Sequence, residues 1–288
     1  MNGIVIVDKP AGWTSQDVTA KLRGVFKTRR IGHGGTLDPM ATGVLPVFVG
    51  RGTRAVEFFE HAEKTYETVL RLGITTDTED MTGEILQQCQ VQVTPEQVEL
   101  VLQEFRGDIF QVPPMYSALK INGQKLCDLA RKGKEVERQS RKVTIYQLEL
   151  LEFGQETLRL RVHCSKGTYI RTLCKDIGQA LGCGGCMESL RRVSAGEYTI
   201  EEAVALEQLI QAENPEGYLR GIDTMFTQYD RVTLTEKQEL RCRNGNSFSL
   251  QLPNGTYRAY SKNGEFLMLA AVEDGVMLTI KSFFEVEV

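Results

Sequence analysis

The stretch Gly32-His33-Gly34-Gly35-Thr36-Leu37-Asp38-Pro39-Met40-Ala41-Thr42-Gly43-Val44-Leu45 sets one carboxylate in a glycine-rich loop. Leu37 and Pro39 restrict the backbone on either side of Asp38, because the proline ring fixes its own φ and pushes the preceding residue out of the helical region. A carboxylate presented in this way can act as a nucleophile. With a reference pKa of about 3.9, an aspartate is ionised at neutral pH without any tuning. An Asp-Pro pair alone is more often only a turn. No Gly-Lys-Ser/Thr follows the glycines, which argues against a phosphate-cradling loop. A metal site is not expected either: His33 and Asp38 lack further ligands at metal spacing, His61 and His163 are isolated, and Cys183-Gly184-Gly185-Cys186 has no second pair to complete a zinc site.

The elements that must aim the loop are legible as patterns. The first eight residues alternate and are β-branched until Lys9-Pro10-Ala11-Gly12 stops them, so a strand runs into a loop. A helix follows, with Ser15 as the expected N-cap, Asp17 in the first turn and Val18, Leu22 and Phe26 on one face. Val44 to Val49 reads as a buried strand, Tyr66 to Leu72 as an alternating one, and residues 143–164 as two strands turning at Gly154. Thr94-Pro95-Glu96 opens a capped helix through Phe105. From Gly167, the positions Tyr169, Ile170, Leu173, Ile177 and Leu181 take helical spacing, with Arg171 and Lys175 four apart, and Gly182 ends the run. Beyond residue 229 short strands alternate with turn signals such as Asn244-Gly245 and Asp274-Gly275, the pattern of a small all-β domain. The whole is α+β, without the regular alternation of a doubly wound sheet.

A chain of 288 residues supports about two domains. Its 41% hydrophobic and 25% charged residues exclude a disordered or fibrous protein. No window approaches ~18 uninterrupted apolar residues and the amino terminus lacks the features of a signal peptide, so no membrane association and a cytoplasmic location are expected. The seven cysteines are an odd number in a chain too long to need disulfide staples, and reduced thiols are expected. A net charge of −4 argues at first against a nucleic-acid partner, yet the charge is segregated. Residues 120–143 hold eight basic side chains against three acidic, and residues 161–192 six against two, while residues 77–108 hold one basic against eight acidic. One face of an acidic protein could therefore be positive. A two-carboxylate glycosidase is disfavoured because the loop supplies one carboxylate rather than a pair.

At full length the Asp38 stretch resembles the signature of the pseudouridine synthases. Its form Gly-His-x-Gly-Thr-Leu-Asp-Pro-x-Ala-x-Gly-Val-Leu resembles the TruB branch, which modifies uridine 55 in the T-loop of transfer RNA. The resemblance extends along the chain. Val7-Asp8-Lys9-Pro10-Ala11-Gly12-Trp13-Thr14-Ser15 is similar to the family's first motif and Lys64-Thr65-Tyr66 to the second. Pro114-Met115-Tyr116-Ser117-Ala118-Leu119-Lys120 is similar to the segment before its RNA-gripping loop, and Ser165-Lys166-Gly167-Thr168-Tyr169-Ile170-Arg171-Thr172-Leu173 to the third motif.

The resemblance implies a mixed-sheet catalytic domain over residues 1–229, with an RNA-gripping insertion at about 116–142, and a PUA-like RNA-binding barrel over 230–288. It implies a cofactor-free isomerase that works on the T-stem-loop as a monomer without an obligate protein partner; an accompanying tRNA-folding chaperone role is compatible with it. Asp38 is then the essential catalytic residue, expected as nucleophile, with Arg171 pairing to it and Tyr66 stacking on the extruded uracil. Whether Asp38 attacks C1′, adds to the ring or takes a sugar proton stays open. Tyr169 and Leu190 line the pocket, His33 contacts the flipped nucleotide or fills its vacated space, and Lys9 lies near the site, expected among the substrate- and RNA-binding residues. Lys120, Lys132, Lys134 and Arg138 belong to the basic stretch that closes on RNA. Where the family commonly has histidine this chain has Cys186, which is expected to be structural.

Overall fold

A computed structural model describes residues 1–117, 119–121 and 123–285. Ala118 and Asn122 of the expected insertion, the side chain of Lys125, and the last three residues of the expected barrel lie outside the described residues. The centre of the fold is a ten-stranded mixed sheet. Eight strands follow one another in the order Val204–Ala205, Gly3–Lys9, Thr42–Val49, Gly185–Ala195, Lys64–Leu72, Thr157–Cys164, Arg141–Phe153 and Gly107–Gln111. Two short strands, Ile31–His33 and Tyr198–Thr199, attach beside this path.

The apolar pattern of each strand matches the cover it receives. Gly3–Lys9 is apolar at consecutive positions because both faces are buried. Ile4 and Ile6 pack with Phe48, Phe59 and Phe226 on one side, whereas Val5 and Val7 pack with Val18, Leu22 and Leu206 on the other. Lys64–Leu72 alternates because only one face is covered: Tyr66, Leu70 and Leu72 point into a core shared with Val98 and Leu102 of the helix Pro95–Glu104 and with Leu173 and Ile177 of the helix Ile170–Ala180.

Thr42–Val49 meets Gly185–Ala195 in parallel, with Gly43 opposite Arg192. The backbones approach closely there, since a Cβ at Gly43 would lie 2.2 Å from the Arg192 carbonyl oxygen, and φ at Gly43 is +101°. Only glycine fits without displacement.

The first helix spans Ser15–Val25, and its N-cap is Thr14 rather than the expected Ser15. Thr14 and Asp17 form a reciprocal capping box, which frees the Ser15 hydroxyl for a longer reach: it accepts from Leu37 N–H at 2.9 Å and faces the Leu37 carbonyl at 3.3 Å. Between the paired strands Gly107–Gln111 and Arg141–Phe153 the chain makes an excursion containing the hairpin strands Lys120–Ile121 and Gln124–Lys125 and the helix Leu126–Ala130. Arg141 and Lys142, counted with the insertion from sequence, begin the returning strand.

The tail forms a five-stranded sheet from Asp230–Thr233, Gly255–Tyr260, Phe266–Glu273, Val276–Ser282 and Phe248–Ser249. It also carries a helix, Glu236–Arg243, that the alternating pattern did not announce. That helix buries only Cys242 and so leaves no apolar stripe to read, and Asn244-Gly245 ends it instead of turning a hairpin. Leu269 and Phe283 join the cluster that holds Phe226, and the Phe283 ring lies 5.9 Å from the Phe226 ring, so the tail packs against the segment Ile222–Phe226. Among the described residues no helix is long and apolar enough to cross a membrane.

Candidate active site

Asp38 sits on the loop between Ile31–His33 and Thr42–Val49, and its neighbours are tied down at alternate residues. The Gly35 carbonyl accepts from Arg192 Nη2 at 3.1 Å, Leu37 is bonded to Ser15, and the Pro39 carbonyl accepts from Gly12 N–H at 2.8 Å and from Lys9 Nζ at 3.2 Å. Leu37 itself is buried in the core. With the loop anchored on both sides of it, the Asp38 side chain is left facing the cleft, 36% exposed. Preorganisation of this kind is what a reacting carboxylate needs.

Arg171, in the first turn of Ile170–Ala180, points its Nε at Asp38 Oδ2 over 2.9 Å. Its other donors are satisfied by backbone: Nη1 donates to the Thr78 carbonyl at 3.1 Å and Nη2 to the Tyr116 carbonyl at 2.7 Å. Asp80 Oδ2 lies 3.8 Å from Nη1. The other Asp80 oxygen, Oδ1, accepts from the Thr82 N–H and from the hydroxyls of Thr78 and Thr82. Glu79, at a left-handed φ of +64°, turns away and accepts from Thr172 at 2.6 Å and Lys175 at 2.5 Å. The arginine is thus fixed in direction by four groups before any substrate arrives.

Burial raises the pKa of Asp38 above the usual carboxylate value; Arg171 pulls it down, Asp80 pushes it up, and the net shift is upward.

Two cavities open on this carboxylate. The larger, about 1310 Å³, is walled by Asp38, Asp80, Arg131, Arg171 and Arg191; the smaller, about 690 Å³, by Lys64, Tyr66, Lys166, Tyr169 and Arg192. Asp38, Ser117, Arg171 and Leu190 line both. Tyr66 and Tyr169 are therefore brought to Asp38 in one chamber. Burial pushes both phenols up, so both are neutral near pH 7. Tyr169 is the residue before the helix, and the Gln111 amide brackets its backbone, accepting its N–H at 3.0 Å and donating to its carbonyl at 3.2 Å.

Other expected residues fall elsewhere. Lys9, expected at the substrate, is fully buried, and its ammonium donates to the carbonyls of Pro10, Trp13 and Pro39. It braces the Asp38 loop from beneath and lines neither cavity. His33 stands on the short strand with Nε2 3.3 Å from the Gln16 amide and is not among the described residues lining either cavity. Lys120, Lys132 and Lys134 are exposed on the insertion. Arg138 is mostly covered and donates to the Pro113 carbonyl and to Glu135. None of these four is among the described residues lining these two cavities, whereas Arg131 lines the larger one. Cys186 is buried with its Sγ against Met81 Sδ at 3.4 Å, and Cys183 turns to the Gly184 carbonyl.

Asp80, Lys64, Arg192 and Ser117 are site residues that sequence reasoning missed. Asp80 lies in an acidic run that reads as solvated surface, and only the fold carries it to Arg171.

Comparison with known proteins covers nearly the whole chain. Residues 23–170 match the family described as TruB family pseudouridylate synthase (N terminal domain), and residues 171–222 match the tRNA pseudouridylate synthase B C-terminal domain. Among curated relatives, the tRNA pseudouridine synthase B of Clostridium novyi (strain NT) is 44% identical over 275 residues, covering 93% of this chain and 95% of that protein. The protein of the same name from Stutzerimonas stutzeri (strain A1501) is 44% identical over 284 residues, 96% of this chain and 93% of that one. Among solved structures, a chain of a Cbf5-Nop10-Gar1 complex superposes with a TM-score of 0.73 at 25% identity, over 98% of this chain and 85% of that chain. A chain of an H/ACA RNP bound to a substrate RNA containing 2′-deoxyuridine gives 0.72 at 23% identity, with the same two coverages.

Proposed function

This chain belongs to the TruB family of pseudouridylate synthases, an isomerase that acts on tRNA, and we propose that its target is uridine 55 in the T-loop, turned over by Asp38 after extrusion of the base. The observation that carries the reading is the Asp38–Arg171 pair at the mouth of a chamber lined by Tyr66, Tyr169 and Leu190. The reaction breaks the bond from N1 to C1′, turns the base and joins C5 to C1′; the proton lost from C5 is balanced by one gained at N1. Electrons are conserved, so no redox cofactor is called for.

The residues divide this work. An extruded base loses stacking worth a few kcal/mol, and the rings of Tyr66 and Tyr169 offer replacement apolar surface. Leu190 closes the chamber. Asp38 can attack C1′, add to the ring or take a sugar proton, and each role requires the ionised carboxylate that Arg171 aims. The insertion closes over the T-stem-loop in this reading, with the exposed Lys120, Lys132 and Lys134 toward phosphates. Residues 1–229 act as the catalytic unit and the tail as a PUA-like RNA-binding unit, in a monomer that works in the cytoplasm without a protein partner.

The test is tritium release from tRNA transcript labelled at C5 of uridine, with the position mapped and a transcript carrying cytidine at position 55 as control. Release is expected from the first and not the second. Equal release from both would overturn the assignment of position 55; no release by folded protein would overturn the activity. A tRNA-folding role does not need the carboxylate, so tRNA refolding should survive Asp38→Asn.

A further inference from the structure

The smaller cavity carries far more positive charge than the chemistry of Asp38 uses. Six cationic side chains line it, Lys64, Arg141, Lys142, Lys166, Arg171 and Arg192, against two carboxylates, Asp38 and Glu60. Among the described residues only Lys142 and Arg171 of these six are ion-paired, with Asp108 and Asp38. Lys64 is 9% exposed and Arg192 1%. Their hydrogen-bond partners are carbonyls: Ala62 for Lys64, Val44 and Gly35 for Arg192. Lys166, exposed at the rim, faces only His61 Nε2 at 3.3 Å.

Buried charge without a counter-charge is costly, and the cost is visible: burial and the neighbouring Arg192 lower the pKa of Lys64 to about 8. An anion arriving with the substrate would relieve it.

We propose that this cavity seats a phosphodiester of the RNA strand next to the target nucleotide, contacted by Lys64, Lys166 and Arg141, with Arg192 supplying fixed positive charge behind them. The inference rests on the tRNA reading above. A nucleotide offers a flat base and a phosphate a short distance apart, and the cavity offers Tyr66 and Tyr169 beside Lys64 and Lys166. A carboxylate ligand would use the cations and leave the rings empty. Seating the phosphate on one side of Asp38 also fixes where C1′ of the target lies relative to that carboxylate.

The experiment is a cycle between protein and RNA charge. The probe is a T-stem-loop RNA with a single neutral methylphosphonate placed either beside the target uridine or in the stem, bound to wild type, Lys64→Gln, Lys64→Arg, Lys166→Gln and Arg141→Gln over a salt series. Each Gln variant should weaken binding about tenfold, the scale of one charge-assisted hydrogen bond. The slope of log affinity against log salt should fall by roughly 0.7 for each single-strand phosphate that the variant no longer neutralises. Lys64→Arg should bind like wild type. Methylphosphonate beside the target should weaken wild type but add little in Lys64→Gln or Lys166→Gln, whereas methylphosphonate in the stem should weaken all alike. If losses simply multiply at every phosphate position, the phosphate site is overturned. Lys166 and Arg141 are exposed, so their variants decide the matter should Lys64→Gln fail to fold. Tritium release from the unmodified stem-loop by wild type keeps the two readings apart, because its absence counts against the tRNA reading while additivity counts against the phosphate site alone.

Discussion

At the scale of the residue, Asp38 is a carboxylate held at a cost. Asp38 has its pKa raised by burial, so the folded protein retains the proton at pH values above 3.8 where the unfolded chain has already released it. Stability contributed at this position therefore falls as pH rises through that window and stays lower at neutral pH. Asp38→Asn has no charge to bury, and Arg171 keeps the Thr78 and Tyr116 carbonyls and nearby Asp80. The variant should melt no lower than wild type at pH 7, the gap closing toward pH 4, while pseudouridine formation drops on the order of 10³-fold or more. A wild type more stable at pH 7, by a margin that vanishes in acid, would show that Arg171 outweighs burial. Tyr66 separates in a similar way. Burial keeps its phenol neutral, so Tyr66→Phe should bind RNA like wild type, whereas Tyr66→Ala should lower kcat more than it weakens binding; normal turnover by Tyr66→Ala would reduce the ring to core packing. Asp38, Tyr66 and Arg171 were legible because each lies in a long ordered motif. The burial of Lys9 was not legible, because a lysine satisfied by three carbonyls looks in sequence like any surface lysine. Lys64 stood in the second motif without a role and Arg192 outside every motif, because nothing local marks a cation as lacking an acid.

At the scale of the element, strands and helices followed their periodicity, and the departures have local causes. Sequence places a hydroxyl at both Thr14 and Ser15, and either could cap the first helix. The capping box to Asp17 selects Thr14, and Ser15 becomes the brace of the Asp38 loop through both the N–H and the carbonyl of Leu37. The two roles are one residue apart and separable by mutation. Ser15→Ala leaves the buried Leu37 N–H without its acceptor, a loss of about 1–3 kcal/mol in stability. It should also lower kcat with little change in KM, because the loop that aims Asp38 loosens while the cavities keep their walls. Thr14→Ala should cost about 1 kcal/mol in stability with kcat unchanged. Denaturant titration beside single-turnover rates checks both, and equal kcat losses in the two variants would mean that the helix start as a whole, not Ser15, aims the loop.

At the scale of the whole molecule, the segregated charge has a structural counterpart. The acidic run 77–108 supplies Asp80 and Glu79 to hold Arg171 and Lys175, so part of it is spent inside the protein rather than on a solvated face. The basic run is spent outward: Lys120, Lys132 and Lys134 are exposed, on an excursion whose helix Leu126–Ala130 contributes only Leu126 and Leu129 to buried surface. Gly123 and Gly133 flank that helix at φ of +81° and +66°, in open space. So little burial cannot confer much local stability, and the segment should exchange its amide hydrogens near the fast limit in the free protein. The Ser117 carbonyl accepts from Cys127 N–H at the helix, and the adjoining Tyr116 carbonyl accepts from Arg171, so a change in the order of the excursion should be felt at the Asp38–Arg171 pair. Added tRNA should therefore protect residues 123–140, and Lys120, Lys132 and Lys134 changed together to Ala should flatten the salt dependence of binding by roughly 2 to 3 in slope. Arg138 is left out of that variant because it donates to the Pro113 carbonyl and anchors the base of the excursion. Equal protection with and without tRNA, together with an unchanged slope, would make this segment ordinary solvated surface and leave the grip on RNA to the cavity walls and the tail.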